Sequence, residues 1–265
     1  MRALVFDLDD TLLNSMKQIG PDTLASLDEW IASGREVILA TSRPIRAVRA
    51  FVPAHLLQQS EVLSLNGAVC HSGGELSYRS SRLGTVAQAI VHDFPADGTV
   101  HYSFEIDGDS FATNANYSDA ELLAFHSATR EMVVEMKQLD FTTISKIAVD
   151  GLGLRIDFLI PTIEKLGASA IPCMDGTFLN VVDRSVDKAS ALMRHINSRG
   201  LSRDEFAVFG DDIPDIKMMR LTDHAVAMGN APSRFLAMND NVRCARLPKL
   251  FASSTLTRVT IASGE

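Results

Sequence analysis

Cysteine is scarce in this chain, which has only Cys70, Cys173 and Cys244. They are odd in number, far apart and without metal-ligand spacing, which argues against a disulfide framework and a cysteine zinc site. Thiols buried in a reducing cytoplasm are the expectation. Positive charge is also in deficit, with 25 Lys and Arg against 33 Asp and Glu and a net charge of -8. That balance argues against a nucleic-acid partner, because a phosphate backbone demands clustered cations; one positive pocket for a small anion stays open. No apolar run approaches the roughly 18 residues that span a bilayer. Asp7 would interrupt any apolar signal-like stretch at the N-terminus. No membrane partner and a cytoplasmic location are therefore expected. Repeats, low-complexity tracts and amphipathic membrane helices are missing as well.

The 265 residues, 46% hydrophobic and 22% charged, suit a soluble globular protein of one large or two modest domains. Its start is the most informative stretch. Ala3-Leu4-Val5-Phe6 runs unbroken into Asp7-Leu8-Asp9-Asp10-Thr11. An unbroken apolar run bounded by polar residues reads as a strand buried on both faces, the kind found in parallel sheets. On an extended chain Asp7 and Asp9 point to the same side, roughly 6–7 Å apart. Two carboxylates that close need a cation, a shared proton or solvent. The stretch is either a divalent-metal site with one aspartate free for chemistry or an acidic turn after a core strand.

Strand and helix signals then alternate. Gly20-Pro21-Asp22 opens a helix with Pro in its first turn, Leu24, Leu27 and Ile31 recur at helical spacing, and Gly34 is placed to end it. Glu36–Ala40 is a second buried strand, stopping at Thr41-Ser42-Arg43-Pro44, and a helix follows from about Ile45 to Val52. Val62–Leu65 is a third strand, ending at Asn66-Gly67. This order predicts a parallel sheet with right-handed crossovers.

From about residue 80 the texture changes. His101–Phe104 reads as a strand, Asp107-Gly108 as a hairpin turn and Phe111–Thr113 as its return. Ser118-Asp119-Ala120-Glu121 is a capping box opening a helix to about Met136. Thr143–Val149 and Leu154–Ile160 read as strands around a Gly-rich turn, followed by a short helix near Thr162–Leu166. Ala168–Cys173 and Phe178–Val182 are strands joined through Asp175-Gly176. The block 80–183 is expected to be an α+β domain inserted between 1–79 and 184–265. In the last part Ser185 can cap a helix with an apolar face of Ala189, Leu192, Met193 and Ile196 and Gly200 at its end. Glu205–Phe209 is a strand ending at Gly210-Asp211-Asp212-Ile213-Pro214-Asp215, and His224–Met228 another ending at Gly229-Asn230. Val242-Arg243-Cys244 is a candidate edge strand.

The ends of these strands, at Asp7, Thr41, Asn66, Asp211 and Gly229, converge on one edge of a doubly wound sheet. Of Asp7 and Asp9, one suits a covalent nucleophile and the other a general acid and base. Asp211, Asp212 and Asp215 offer hard oxygens for Mg²⁺, or are ordinary acids favouring a helix N-terminus. Thr41-Ser42 is a phosphate seat at a helix start, or an N-cap. Lys188 falls in the first turn of its helix, where a cation opposes the dipole; it is a phosphate ligand or a surface lysine. Asn66-Gly67 is a turn or a ligand contact in equal measure.

Taken in order, these clusters resemble the motifs of the haloacid dehalogenase-like hydrolases, with the Cof-type sugar-phosphate phosphatases as the most similar branch. Phe6 to Leu12 resembles the first motif, Ala40-Thr41-Ser42-Arg43 the second, Lys188 the third, and Gly210-Asp211 through Asp215 the fourth. Leu65–Ala68 and Ala227–Ala231 resemble two further segments of the branch. The resemblance implies a Rossmann-like doubly wound core with an inserted α+β cap. It implies that Asp7 is nucleophile and metal ligand, and that Asp9 is acid/base with its backbone carbonyl on Mg²⁺. Asp211 becomes the third protein ligand, with Asp215 supporting the metal from nearby. Thr41, Ser42, Arg43, Asn66, Gly67 and Lys188 are the implied substrate-binding positions. The implied reaction is magnesium-dependent hydrolysis of a small phosphorylated metabolite through an aspartyl-phosphate. A sugar phosphomutase or a non-catalytic phosphate sensor on the same scaffold are the alternatives. Three positions depart from the family pattern: Asp10 and Ser42 stand where Gly is usual, and Pro214 stands where Asn often precedes the last acid.

Overall fold

The computed structural model describes residues 1–80, 83–93, 100–233, 235 and 243–245. The opening run forms β1 (Ala3–Phe6), with all four side chains at 0% exposure. It is followed by β2 (Glu36–Ala40), β3 (Ser60–Ser64), β4 (Val69–Ser72) and β5 (Glu75–Arg79). A second group comprises β6 (His101–Glu105), β7 (Phe111–Thr113), β8 (Lys146–Asp150), β9 (Ala168–Cys173) and β10 (Phe178–Asp183). The chain then returns to the first group with β11 (Phe206–Gly210), β12 (His224–Met228) and β13 (Arg243–Ala245). Val242, included in the expected edge strand, lies outside the described residues.

The first sheet has the order β13-β12-β11-β1-β2-β3-β4-β5, parallel except for the hairpin of β4 and β5 at one edge. β1 lies between β2 and β11, with Phe6 level with Leu39 and Phe209. That register brings Asp7, Thr41 and Asp211 to one edge. Helices α1 (Pro21–Ala32) and α2 (Ile45–Phe51) cover one face, packing Leu27, Trp30 and Val48 on Leu4, Phe6 and Leu39. A short α3 (Ala54–Leu57) completes that crossover. The second sheet, β7-β6-β8-β10-β9, is antiparallel throughout. One face of it packs on α4 (Gly84–Asp93) and on α6 (Ile160–Lys165), through Val86, Ile90 and Ile163. Between them in the chain is α5 (Asp119–His126). The other face of the first sheet is covered by α7 (Lys188–Arg199) and α8 (Ile216–Met219), through Leu192, Ile196 and Met218.

Several expected elements differ. The capping box at Ser118 forms, but α5 stops at His126, ten residues short of the expected Met136, with Ser127 left-handed (φ 51°). The cause is tertiary: Val134 N–H donates to the Phe111 carbonyl at 2.8 Å, so this stretch extends the edge beside β7. Leu154–Ile160 is not a strand. Both edges of β8 are taken by β6 and β10, so no ladder remains for it, and the segment becomes a 3₁₀ turn at Asp157–Leu159 leading into α6. Thr143 likewise ends a 3₁₀ turn rather than starting β8. The N-cap of α7 is Asp187, whose carboxylate accepts from Ser190 N–H at 2.7 Å, not Ser185, which bonds Asp183. The inward face of α7 carries Ala191, Leu192 and Ile196; Met193 is 41% exposed. The third strand starts two residues earlier than expected, at Ser60.

Candidate active site

Asp7 follows β1, and its N–H donates to the Phe209 carbonyl at 3.0 Å, which ties it to β11. Its side chain is buried and meets Lys188 Nζ in an ion pair. The same ammonium donates to Asp215 at 2.8 Å. Lys188 is the first residue of α7 and is 6% exposed, so it is no surface lysine. Burial opposes its charge, but Asp215 and Asp7 outweigh burial and hold it above its ordinary value. Burial pushes the Asp7 carboxyl up to about 7, with Asp215 and Asp211 adding and Lys188 opposing.

Asp215 is 1% exposed and accepts from the N–H groups of Asp211 and Asp212 at 3.2 and 3.3 Å. It sits in a 3₁₀ turn, Ile213–Asp215, in which Asp212 is the N-cap, so the capping reading holds for Asp212. Pro214 occupies the second position of that turn, where a missing N–H costs nothing. Gly210 leaves room for the arrangement, since a Cβ there would lie 2.6 Å from the Cβ of Asp215. Asp211 accepts from the Thr11 hydroxyl at 2.8 Å. Burial pushes its carboxyl up to about 6, with Asp215, Asp10 and Asp212 adding and Thr11 opposing. Asp7, Asp211 and Asp215 each offer an oxygen within 4.8 Å of the other two. This set could hold a divalent cation.

Asp9 is turned elsewhere. Both of its oxygens are held by Arg43, at 2.7 Å each, and Lys17 adds a contact at 2.8 Å. Burial alone would raise its carboxyl, but Arg43 and Lys17 outweigh burial and keep it below the ordinary range. Asp10 adopts the left-handed conformation (φ 57°), so the Gly-like turn forms without Gly.

Thr41 is buried, and its hydroxyl accepts from Arg43 N–H at 3.1 Å. It does not cap α2, whose N-cap is Pro44. The Ser42 carbonyl accepts from Lys146 Nζ at 2.8 Å. Asn66 is left-handed (φ 61°) and buried, its N–H donates to the Thr41 carbonyl at 2.9 Å, and its Oδ1 has no hydrogen-bond partner. Gly67 (φ 90°) has a packing role: a Cβ there would lie 2.6 Å from the Asp187 carbonyl, at the start of α7.

The strand edge therefore brings together Asp7, Thr41, Lys188, Asp211 and Asp215, with Asp9 and Arg43 paired beside them. The residues not singled out from sequence are Thr11, Lys17, Arg46, Glu105 and Lys146. Arg46, on α2, holds Glu105, on β6, through bonds of 2.6 and 2.7 Å; both are buried. A single cation in a helix or strand carries no local signal that it will meet a buried partner from another sheet.

A haloacid dehalogenase-like hydrolase family model matches residues 4–243. The HMP-PP phosphatase of Cronobacter sakazakii is 27% identical over 237 residues, covering 88% of this chain and 85% of that protein. The HMP-PP phosphatase of Shigella flexneri is 27% identical over 234 residues, covering 87% and 85%. Among solved structures, a Thermotoga maritima protein superposes with a TM-score of 0.75 at 23% identity, covering 92% of each chain. A subclass IIB sugar phosphatase superposes with a TM-score of 0.64 at 19% identity, covering 95% and 96%.

Proposed function

The chain belongs to the haloacid dehalogenase-like hydrolases, and on that footing we propose that it is a magnesium-dependent phosphatase. Its substrate would be a small phosphorylated metabolite, such as a sugar phosphate, and its intermediate an aspartyl-phosphate. The observation that carries this reading is the set of buried Asp7, Asp215 and Lys188 with half-buried Asp211 at the carboxyl edge of a parallel sheet. Relatives named HMP-PP phosphatase support a phosphorylated substrate.

Three carboxylates with converging hard oxygens fit Mg²⁺. Asp7, Asp211 and Asp215 would hold it, joined by the Asp9 backbone carbonyl as the family resemblance implies. Bound there, the cation would neutralise the phosphate and keep Asp7 ionised. An Asp7 oxygen attacks phosphorus while the bond from phosphorus to the leaving oxygen breaks, and Asp9 gives that oxygen a proton. Water then gives a proton to Asp9 and attacks phosphorus, the bond to Asp7 breaks, and inorganic phosphate leaves. Thr41, Lys188 and the backbone at Ser42 hold the phosphate. For Asp9 to carry a proton, Arg43 and Lys17 must release it; Arg43 lies two residues from Thr41 and can turn to the incoming phosphate.

Residues 80–183 would form a cap that closes over this edge and excludes water from the phosphoryl step. The test is phosphate release from a panel of phosphorylated metabolites, with and without Mg²⁺, by the parent and Asp7→Asn. Metal-dependent release that Asp7→Asn abolishes is expected. Release that survives the substitution refutes the aspartyl-phosphate.

A further inference from the structure

The second sheet turns one face to α4 and α6 and the other to the strand ends of the first sheet. The helix-covered face carries Phe104, Ile147 and Val181. Side chains alternate along a strand, so Glu105 and Lys146, which are register partners on β6 and β8, lie on the other face. Both reach the first sheet: Glu105 meets Arg46 on α2, and Lys146 Nζ meets the Ser42 carbonyl at 2.8 Å.

Lys146 is 6% exposed, yet among the described residues no carboxylate pairs with it at contact distance. Glu105 gives both oxygens to Arg46. Among the described residues the Ser42 carbonyl is the one hydrogen-bond partner of Nζ, which leaves two N–H donors. A buried ammonium held by one neutral oxygen is costly to stability and invites a functional explanation. Burial holds Lys146 down to about 8; Glu105 and Cys173 oppose this, and Arg46 and Lys188 add to it. Two ammonium groups, one from helix α7 and one from β8 of the second sheet, face the same strand edge: Lys188 on Asp7, and Lys146 on the residue after Thr41.

We propose that Lys146 determines specificity by taking an anion on the leaving portion of the substrate, so that preferred substrates carry two anions. The first is the transferred phosphate, and the second is a phosphate or a carboxylate. An anion would give Nζ a charge-assisted bond in place of unused donors. The proposal rests on the phosphatase reading above.

The test uses competitive inhibition of p-nitrophenyl phosphate hydrolysis at constant free Mg²⁺. The probes are ω-phosphonocarboxylates and diphosphonates of rising chain length, each against the alkylphosphonate of equal length. At least one two-anion probe is expected to bind the parent about 30-fold tighter than its alkyl counterpart, the advantage of one charge-assisted hydrogen bond. Lys146→Met should erase that advantage and Lys146→Arg restore most of it. Whether the carboxylate or the phosphonate series gains tells which second anion is recognised. Lys146→Met should melt no lower than the parent, since it removes a buried charge. No two-anion preference in the parent, or a preference that survives Lys146→Met, overturns the proposal. So does a lowered melting temperature with all probes weakened alike, which marks Lys146 as a latch between the sheets. A parent that hydrolyses no phosphate ester at all refutes the phosphatase reading, and this proposal falls with it.

Discussion

Arg46→Met tests how the two sheets are joined. The Arg46 side chain is 2% exposed and that of Glu105 7%. The guanidinium makes two bonds to Glu105, at 2.6 and 2.7 Å, and donates to the carbonyls of His126 and Gly108 at 2.9 and 3.2 Å. Removing it strands a buried carboxylate and takes a donor from the carbonyls of His126, Gly108 and Asp109, of which Gly108 keeps the Arg46 N–H. Breaking a buried pair from one side costs about 3–5 kcal/mol. At about 2–4 °C per kcal/mol for a chain of this size, Tm should fall by about 6–20 °C. Removing both charges costs much less, because no ion is left unpaired. Arg46→Met/Glu105→Leu should therefore regain about 2–3 kcal/mol over the sum of the single variants. The assay is calorimetry on the four proteins of the cycle. A single variant within 2 °C of the parent (about 1 kcal/mol or less), or a double variant no better than additive, would refute the reasoning.

Other outcomes follow from the same geometry. Gly67→Ala places a Cβ 2.6 Å from the Asp187 carbonyl at a φ of 90°, so the start of α7 must shift. It should cost about 2 kcal/mol or more and lower kcat/KM through Lys188, read by melting and phosphate release. The folded carboxyls of Asp7 and Asp211, at about 7 and about 6, lie above the unfolded value of 3.8. The metal-free folded state therefore binds more protons than the unfolded state between about pH 4 and pH 7, and stability falls as pH rises through that window. Mg²⁺, which prefers ionised carboxylates, should raise Tm more at pH 8 than at pH 5.5; an equal rise at both would count against these ligands. Limited proteolysis should leave a protected fragment near residues 80–183, and uniform digestion would argue against a discrete cap.

The parallel sheet was legible because its signals are local. Glu36–Ala40 and His224–Met228 form strands with the boundaries that their apolar runs predict. The larger errors fell in the second sheet, where tertiary pairing overrode local pattern, while at the first sheet the N-cap of α7 and the start of β3 were misplaced. Leu154–Ile160 has the composition of a strand but finds both edges of β8 occupied. The helix expected to Met136 loses its second half to the edge beside Phe111. At the site, the motifs named the acids, but their partners were not readable. Nothing local to Asp9 announces the double hold of Arg43 and Lys17, and Lys17 itself lies in an irregular, left-handed position.

By itself the sequence determined the central strands of the parallel sheet and that Asp7, Thr41 and Asp211 follow their ends. Burial of an unbroken apolar run and the polar residue that stops it are properties of neighbours along the chain. Only the tertiary structure decided which of those ends meet. Lys188 reaches Asp7 across 181 positions, and Lys146 reaches Ser42 across 104. Such contacts depend on strand order, register and the packing of one sheet against another. Those depend on long-range pairing, which no local period encodes. They are also what turn a cluster of acids into a buried site with a cation at its centre and a second cation at its rim.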